Sequence, residues 1–152
     1  MFEQFILEYG VFGLFLVSAA FATIFVPGAP EPVMGLLLGF NENPYAILAA
    51  ATIGSLVGIW VNYLLGLYGE KIIEKWVKPE RIARAKKIMD KYGAVGLFFV
   101  LALPLPTDPI TILCGLTKMS PIIFTITVVL SKLVRYSIFL GFAEGVLYLL
   151  GV

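Results

Sequence analysis

The sequence contains no histidine and a single cysteine, Cys114, and charged residues make up only 14% of its 152 residues. One thiol cannot form an intramolecular disulfide, and the usual histidine and cysteine ligand sets for metals are missing. Proton transfer near neutral pH would have to use carboxylates or lysines. No Ser/His or Cys/His pair and no glycine-rich phosphate loop occurs either. We therefore expect no metal, no cofactor, no enzyme activity and no nucleic-acid partner.

Apolar residues dominate what is present. They make up 60% of the chain and give it a mean hydropathy of +0.97, which is typical of an integral membrane protein. A spanning helix needs roughly 20 apolar residues, so four long membrane elements would nearly exhaust the chain. The basic residues are unevenly spread, because eight of the 11 lie between residues 71 and 91. Cytoplasmic loops carry such an excess, so this connector is predicted to be cytoplasmic.

A proline-rich hexamer that contains one acid occurs twice. Pro27-Gly-Ala-Pro-Glu-Pro32 returns as Pro104-Leu-Pro-Thr-Asp-Pro109, which places Glu31 and Asp108 at an offset of 77 residues. The flanks match as well: Tyr9-Gly10 returns as Tyr92-Gly93, and Pro44 as Pro121. The chain is therefore interpreted as an internal duplication within a single membrane domain, 1–152. Repeat one covers about residues 9–69, a connector covers 70–91, and repeat two covers about 92–152.

Each hexamer interrupts an apolar segment. The run from Phe5 to Val26 ends at the first hexamer, because proline and glycine stop helices. The runs that follow the hexamers, Val33–Phe40 and Ile110–Leu116, are too short to span a bilayer. We therefore predict two re-entrant helical hairpins in an all-α membrane protein. Their tips are predicted at Pro27, Gly28, Pro30, Pro32, Pro104, Pro106 and Pro109.

Two longer segments are predicted to span the membrane, one from Ala46 to Gly69 and one from Ile122 to Leu150. In the first, three glycines and one amide recur at intervals of four, which predicts a close helix contact in lipid. These residues are Gly54, Gly58, Asn62 and Gly66. The glycines are also expected to make room for the long cations of the second segment. The connector between the repeats is predicted to form two short amphipathic helices split near Pro79, with a solvated helix as the alternative.

Four charged side chains are placed at membrane depth by these assignments. Glu31 and Asp108 lie in broken segments, which are tolerated in a membrane only inside protein or beside a wet cavity. Helix capping is the alternative role, and it suits Asp108 better than Glu31. Lys132 and Arg135 are three residues apart and share a helix face. They are expected either to bind an anionic group, with Tyr136 and Asn62 as hydrogen-bonding neighbours, or to form a purely structural charge pair with an acid.

These motifs resemble the DedA family, which shares a superfamily with VTT-domain scramblases. The matching stretches are Phe25–Val33, Ala51–Gly58 with Asn62-Tyr63 and Gly66, Pro104–Asp108 with Cys114-Gly-Leu116, and Ser131–Tyr136. The resemblance covers about residues 10–142 and is closest to the short YqaA-like branch. It implies an inverted repeat of two facing re-entrant hairpins, and transport or scrambling of lipids, including polyprenyl phosphates, with proton coupling. By position, Glu31 and Asp108 look like the hairpin acids, and Arg135 looks like a membrane-embedded arginine of that family.

The sequence departs from the family pattern in one respect. Many members have a second arginine in the second hairpin, where this chain reads Leu103-Pro-Leu-Pro-Thr-Asp108, and Lys132 is the candidate for that charge. The leading hypothesis is a multi-pass cell-membrane transporter for a lipid with an anionic headgroup, in which Glu31 and Asp108 couple protons. A membrane scaffold and a small-solute or ion carrier are the alternatives. A homodimer is left open, because 152 residues form a thin wall around a headgroup cavity.

Overall fold

The computed structural model describes residues 2–23, 25–26, 28–69, 71, 78–103 and 108–151, without the side chains of 2–7, 81, 82, 85, 88 and 108. Throughout these residues the regular secondary structure is helical, which confirms the all-α prediction. The helices are α1 (Phe2–Phe21), α2 (Glu31–Gly39), α3 (Pro44–Tyr68), α4 (Pro79–Ala102), α5 (Asp108–Leu116) and α6 (Pro121–Leu150). The first of the two predicted connector helices lies mostly outside the described residues.

The backbone repeats itself along the chain. Helices α2 and α5 begin and end 77 residues apart and have 9 residues each. The turns after them each contain a non-glycine residue with positive φ, Asn41 at 61° and Lys118 at 54°. Gly10 in α1 and Gly93 in α4 kink their helices with nearly the same angles, φ 51° and ψ −128° against φ 47° and ψ −133°. The duplication seen in the sequence is thus also present in the conformation.

The long helices α3 and α6 match the two predicted spanning segments. They contain 25 and 30 residues and are apolar enough to cross a membrane. Proline occupies the first turn of α3, where its missing N–H costs nothing, and Asn43 caps that helix by accepting a 2.9 Å hydrogen bond from the Tyr45 amide. The short helices are only about 14 Å long at 1.5 Å per residue, well below the roughly 30 Å of a hydrocarbon core.

Each long helix packs against the short helix of the other copy. Helix α3 contacts α5, helix α6 contacts α2, and the two long helices also contact each other. One buried cluster joins α1, α2, α3 and α6, with Leu14, Met34, Ile47 and Leu140 among its members. A second joins α3, α4, α5 and α6 around an aromatic group in which the rings of Tyr63 and Phe124 are 4.6 Å apart.

The glycines of α3 lie against neighbouring backbone. Gly54 and Gly58 face α1, where added Cβ atoms would collide with the carbonyl oxygens of Phe15 and Ala19. Gly66 faces the Ile112 carbonyl of α5 in the same way. Close approach of this kind is what small residues permit in a membrane. The glycines therefore make room for α1 and α5, and the expectation that they make room for the cations of α6 is wrong.

Candidate functional site

An ion pair between Arg135 and Glu31 joins the middle of α6 to the first turn of α2. Nε of Arg135 donates to Oε1 of Glu31 over 2.6 Å, and Nη2 of the same guanidinium is ion-paired with that oxygen. The two side chains are only 15% and 13% exposed. Pro30, not Glu31, occupies the cap position of α2, and no side chain caps that helix end. The structure therefore gives Glu31 a cationic partner and not a capping role.

The guanidinium of Arg135 also reaches the second copy. Its Nη1 donates to the backbone carbonyl of Leu103 over 3.1 Å. Leu103 is the C-cap residue that directly follows α4, and carbonyls at a helix end lack partners within the helix. Arg135 thus bridges the start of one short-helix segment and the interruption before the other. Sequence reasoning missed this acceptor, although a proline in the next position of the sequence predicts a helix end with free carbonyls and could have revealed it.

The ion pair lies in the wall of an open cavity of about 640 Å³. Apart from Glu31 and Arg135, the described residues that line the cavity are apolar and belong to the α2 start, the α4 end and α6: Ala29, Pro32, Ala102, Ile138, Phe139 and Phe142. Ile138 and Phe142 are about 70% exposed at its mouth, at 68% and 72% respectively. The cavity therefore suits a ligand that has one charged group and is otherwise apolar, because one ion pair lies among apolar walls.

Glu31 uses one of its two carboxylate oxygens in this pairing. The other, Oε2, is buried and has no hydrogen-bond donor among the described residues. A buried acceptor without a donor is unfavourable, so it marks a place where a protonated or donor group would be stabilised. The sequence alone could not show that the two carboxylate oxygens of Glu31 differ in this way.

Lys132 and Tyr136 lie together on α6, one turn apart, and Tyr136 reaches α3. The ammonium of Lys132 is 5.6 Å from the centroid of the Tyr136 ring, and the Tyr136 hydroxyl is 2.7 Å from Oγ of Ser55. Lys132 is 5% exposed and Tyr136 is 1% exposed. Neither lines the cavity that contains Arg135. Their predicted role in substrate binding stays a prediction. The structure shows Tyr136 hydrogen-bonded between the long helices, with Lys132 beside its ring.

Asn62 lies in a different part of the molecule from Arg135. Its amide donates to the carbonyl of Ala22 over 3.1 Å and to Oγ1 of Thr111 over 3.2 Å. It therefore connects the end of α1 to α5, and it is fully buried. Substrate binding by Asn62 also stays a prediction, because the structure does not bring it to the cavity.

Several predicted tip residues lie at the starts of the short helices. Pro30 and Pro32 flank Glu31 at the start of α2, and Pro109 is the second residue of α5. Gly28 precedes α2, and an added Cβ there would collide with the Phe21 ring. Pro27, Pro104, Pro106 and the side chain of Asp108 lie outside the described residues. The proton-coupling role assigned to Asp108 is therefore untested.

No group of three or more His, Cys, Asp or Glu side chains that could hold a metal ion occurs among the side chains that the structure describes. The expectation that the protein needs no metal stays a prediction.

Comparison with known proteins identifies the family of the chain. The VTT domain family matches residues 29–144. An uncharacterised protein of Methanocaldococcus jannaschii is 32% identical over 143 residues, covering 90% of this chain and 88% of that protein. The inner membrane protein YqaA of Escherichia coli is 30% identical over 130 residues, covering 83% of this chain and 85% of YqaA. A protein of Lactococcus lactis named alkaline phosphatase-like is 32% identical, covering 84% of this chain and 66% of that protein. No solved structure matches.

The matched region begins just before the ion-paired Glu31 and extends beyond Arg135, so it contains the whole cavity. It also agrees with the resemblance that the duplicated motifs carry. The chain is a member of the VTT-domain (DedA) family of membrane proteins.

Proposed function

We propose that this protein moves a lipid with an anionic headgroup across the membrane, and that Arg135 binds that headgroup. The observation that carries the proposal is the Arg135–Glu31 ion pair in the wall of an otherwise apolar cavity of about 640 Å³. Guanidinium binds phosphate and carboxylate groups through the same pairs of N–H donors. A phosphate that enters the cavity can therefore take the place of the Glu31 carboxylate.

The shape of the cavity favours a lipid over a hydrated ion. Six apolar residues line it beside a single ion pair, and its mouth is formed by exposed apolar side chains of α6. In a membrane, exposed apolar surface on a spanning helix faces acyl chains. A headgroup at Arg135 would thus leave its chains beside Ile138 and Phe142. An inorganic ion would gain one charge contact and would lose its hydration against apolar walls.

We propose further that the two copies are inverted in the membrane, each with a re-entrant hairpin. The 9-residue helices α2 and α5 are too short to span, and each packs against the long helix of the other copy. Inverted repeats with interrupted helices at the midplane are the general architecture of secondary transporters. Exchange of the two copies between equivalent conformations would expose the Arg135 cavity alternately to the two leaflets.

Proton coupling is part of the proposal. A phosphate on Arg135 leaves the Glu31 carboxylate without its cation in a place where it is 13% exposed. A buried carboxylate that loses its counter-ion is stabilised by taking up a proton. Proton uptake by Glu31 would then accompany headgroup binding, and its release would accompany headgroup departure. We propose Asp108 as a second proton-binding acid, without an arginine partner, because Gly58 occupies the position that corresponds to Arg135.

Lipid flux tests this proposal against its alternatives. We would reconstitute the full chain in liposomes and follow fluorescent phosphatidylglycerol, phosphatidylcholine and a polyprenyl phosphate with a membrane-impermeant quencher. The proposal predicts faster movement of at least one anionic lipid than in protein-free liposomes. A scaffold would move no lipid, and a small-solute carrier would move ions or solutes but none of the three lipids. Either outcome would refute lipid transport.

The orientation is a separate proposal. The basic residues of the segment 71–91, including the exposed Lys86, indicate that it lies in the cytoplasm. A Lys86→Cys variant in intact cells should not react with an impermeant maleimide added outside, whereas it should react after permeabilisation. Cys114 is buried and contributes little background. Labelling from outside would reverse the orientation without affecting the transport proposal.

A further inference from the structure

A second apolar groove lies between α4 and α5, away from the Arg135 cavity. It has a volume of about 460 Å³ and is lined by residues that include Met89, Tyr92, Leu97, Val100, Ile110 and Leu113. None of its lining residues lines the Arg135 cavity. The lining is apolar apart from the Tyr92 hydroxyl, so the groove suits a hydrocarbon chain.

The corresponding region of the first copy is packed differently. Leu97 and Val100 correspond to Leu14 and Val17 at the offset of the two kink glycines. Leu14 is fully buried and Val17 is 5% exposed, and the two belong to the core cluster that joins α1, α2, α3 and α6. Val100 in the second copy is only partly buried and lines the groove. Leu97 is itself only 2% exposed and belongs to the second core cluster, so the copies differ here at Val100, which lines the groove where its counterpart Val17 belongs to the core.

A lysine lies beside the groove. The ammonium of Lys91 is 5.2 Å from the centroid of the Tyr92 ring, which itself lines the groove. Lys87 is four residues earlier and lies on the same helix face, and its side chain is exposed. At the same offset, the first copy has Glu8 in place of Lys91 and Gln4 in place of Lys87. The positive charge therefore accompanies the open groove and does not accompany its packed counterpart.

The groove also crosses the boundary between charged and apolar sequence. Met89 and Tyr92 lie in the charged part of α4, and Gly93, with φ 47°, kinks the helix before the apolar part begins. Tyrosines and lysines at such a boundary are typical of the headgroup level of a membrane. A ligand there would have its polar end at Lys91 and its apolar end along Leu97 and Leu113.

We propose that this groove is a binding site for an anionic phospholipid of the surrounding membrane, with one acyl chain between α4 and α5 and the phosphate at Lys91. The site does not depend on the transport proposal, because it shares no residue with the Arg135 cavity. It would anchor the cytoplasmic end of α4 to the charged leaflet.

Photo-crosslinking tests the site directly. The full chain would be placed in phosphatidylcholine nanodiscs that contain a trace of phosphatidylglycerol or phosphatidylcholine with a diazirine on the acyl chain. Mass spectrometry would then locate the labelled residues. We expect phosphatidylglycerol to label Leu97, Val100 or Leu113 several-fold more than phosphatidylcholine does. We expect Lys91→Gln to lower that preference about fivefold, the effect of one cation at a charged surface.

Matched variants separate the groove from general surface binding. Lys78→Gln removes an exposed cation at the far end of α4, roughly 20 Å away by helix rise, and should leave the preference unchanged. Leu113→Trp fills the groove and should remove the labelling there. Val95→Trp adds the same bulk to a residue of α4 that is 67% exposed and outside the groove, so labelling should persist.

Three outcomes would overturn the proposal. Equal labelling by the two lipids would remove the anionic selectivity, and unchanged labelling in Leu113→Trp would place the lipid elsewhere. A disulfide-linked dimer through Phe99→Cys, with no lipid label in the groove, would show that a second copy occupies it.

The groove is also expected to be independent of the Arg135 cavity. Lipid labelling of the groove should therefore persist in Arg135→Ala, whether or not that variant still moves lipid.

Discussion

The two contacts between a long helix of one copy and a short helix of the other are built in opposite ways. Between α3 and α5, Gly66 faces the backbone of Ile112, and Gly115 faces the carbonyl of Tyr63, so the helices touch through their main chains. Between α6 and α2, a Cβ added to Gly35 would still lie 3.8 Å from the Phe139 ring. The Arg135–Glu31 pair there lies beside an open cavity. Of the two contacts, one is closed and one contains a charged cavity.

The difference is already present at matched sequence positions. Arg135 corresponds to Gly58 at the offset of 77, and Glu31 corresponds to Asp108. Gly58 has no side chain to offer Asp108, and it is packed against α1 instead. A cation and an acid can therefore pair between α6 and α2. The equivalent contact between α3 and α5 cannot form such a pair, because Gly58 takes the place of the cation. We infer that the closed contact between α3 and α5 acts as a frame, whereas the contact between α6 and α2 holds the site.

Loss of the site's cation has the largest expected effect. Arg135→Ala should reduce lipid flux in proteoliposomes to the level of protein-free liposomes, because the headgroup loses its guanidinium. Arg135→Lys should restore only part of the flux, since an ammonium cannot form the paired hydrogen bonds. Arg84→Ala, which removes an exposed cation of α4, is the control and should keep wild-type flux.

Two results would count against this role of Arg135. Full flux in Arg135→Ala would remove the residue from the mechanism. Failure of Arg135→Ala to accumulate as folded protein in the membrane would favour a structural ion pair, because removal of one partner leaves a buried charge without compensation.

The frame is tested by adding bulk at the closed contact. Gly66→Val should lower the free energy of unfolding by about 3 kcal/mol, because its Cβ meets the Ile112 backbone and not a movable side chain. Gly141→Ala on α6 is the matched control: nothing lies within 4 Å of its added Cβ, so stability should stay within about 1 kcal/mol. Thermal unfolding in detergent measures the two. Equal stability of the two variants would contradict the frame.

The pH dependence of transport distinguishes the two acids from ordinary structural partners. A proton on Glu31 weakens its pairing with Arg135 and frees the guanidinium for phosphate, so lower pH should favour headgroup binding. Flux of the anionic lipid should therefore rise as the pH falls, and Glu31→Gln and Asp108→Asn should each flatten that dependence. Wild-type pH profiles in the two variants would leave the acids without a coupling role.

The contact between the long helices has the smallest expected effect. Ser55→Ala removes the hydrogen bond to the Tyr136 hydroxyl and should cost about 1 kcal/mol of stability with little change in flux. Tyr136→Phe together with Ser55→Ala should be no worse than Ser55→Ala alone, because neither buried group is then left without a partner. Loss of lipid flux in Ser55→Ala would show that this contact belongs to the site.

Much of the fold could be predicted because local signals agreed with one another. The predicted segments begin at Val33, Ala46 and Ile122, within two residues of the starts of α2, α3 and α6, and apolar run length separated the long helices from the short ones. The break in α4 at Gly93, with φ 47° and ψ −133°, lies where the charged connector was predicted to end and the apolar segment to begin. The sequence did not predict the angles at Gly93, which glycine adopts at little cost because it has no side chain.

Two of the predicted site residues, Arg135 and Glu31, come together in the structure, whereas the geometry of the site was not predicted. Burial of unlike charges at membrane depth brought attention to Arg135 and Glu31, and the structure pairs them. The sequence could not show that Lys132 turns toward Tyr136 and away from the cavity, because residues three apart on a helix differ by about 60° in direction. It also could not show the backbone acceptor at Leu103, which depends on how the two copies meet.

The most direct test of the account replaces the whole ion pair with apolar side chains. In the double variant Glu31→Leu/Arg135→Met, no buried charge is left alone, and such replacements often preserve or increase stability. The account predicts a folded protein with near wild-type thermal stability and no anionic lipid flux above protein-free liposomes. Wild-type flux in this folded double variant would contradict it, because the pair would then serve only to hold α6 against α2.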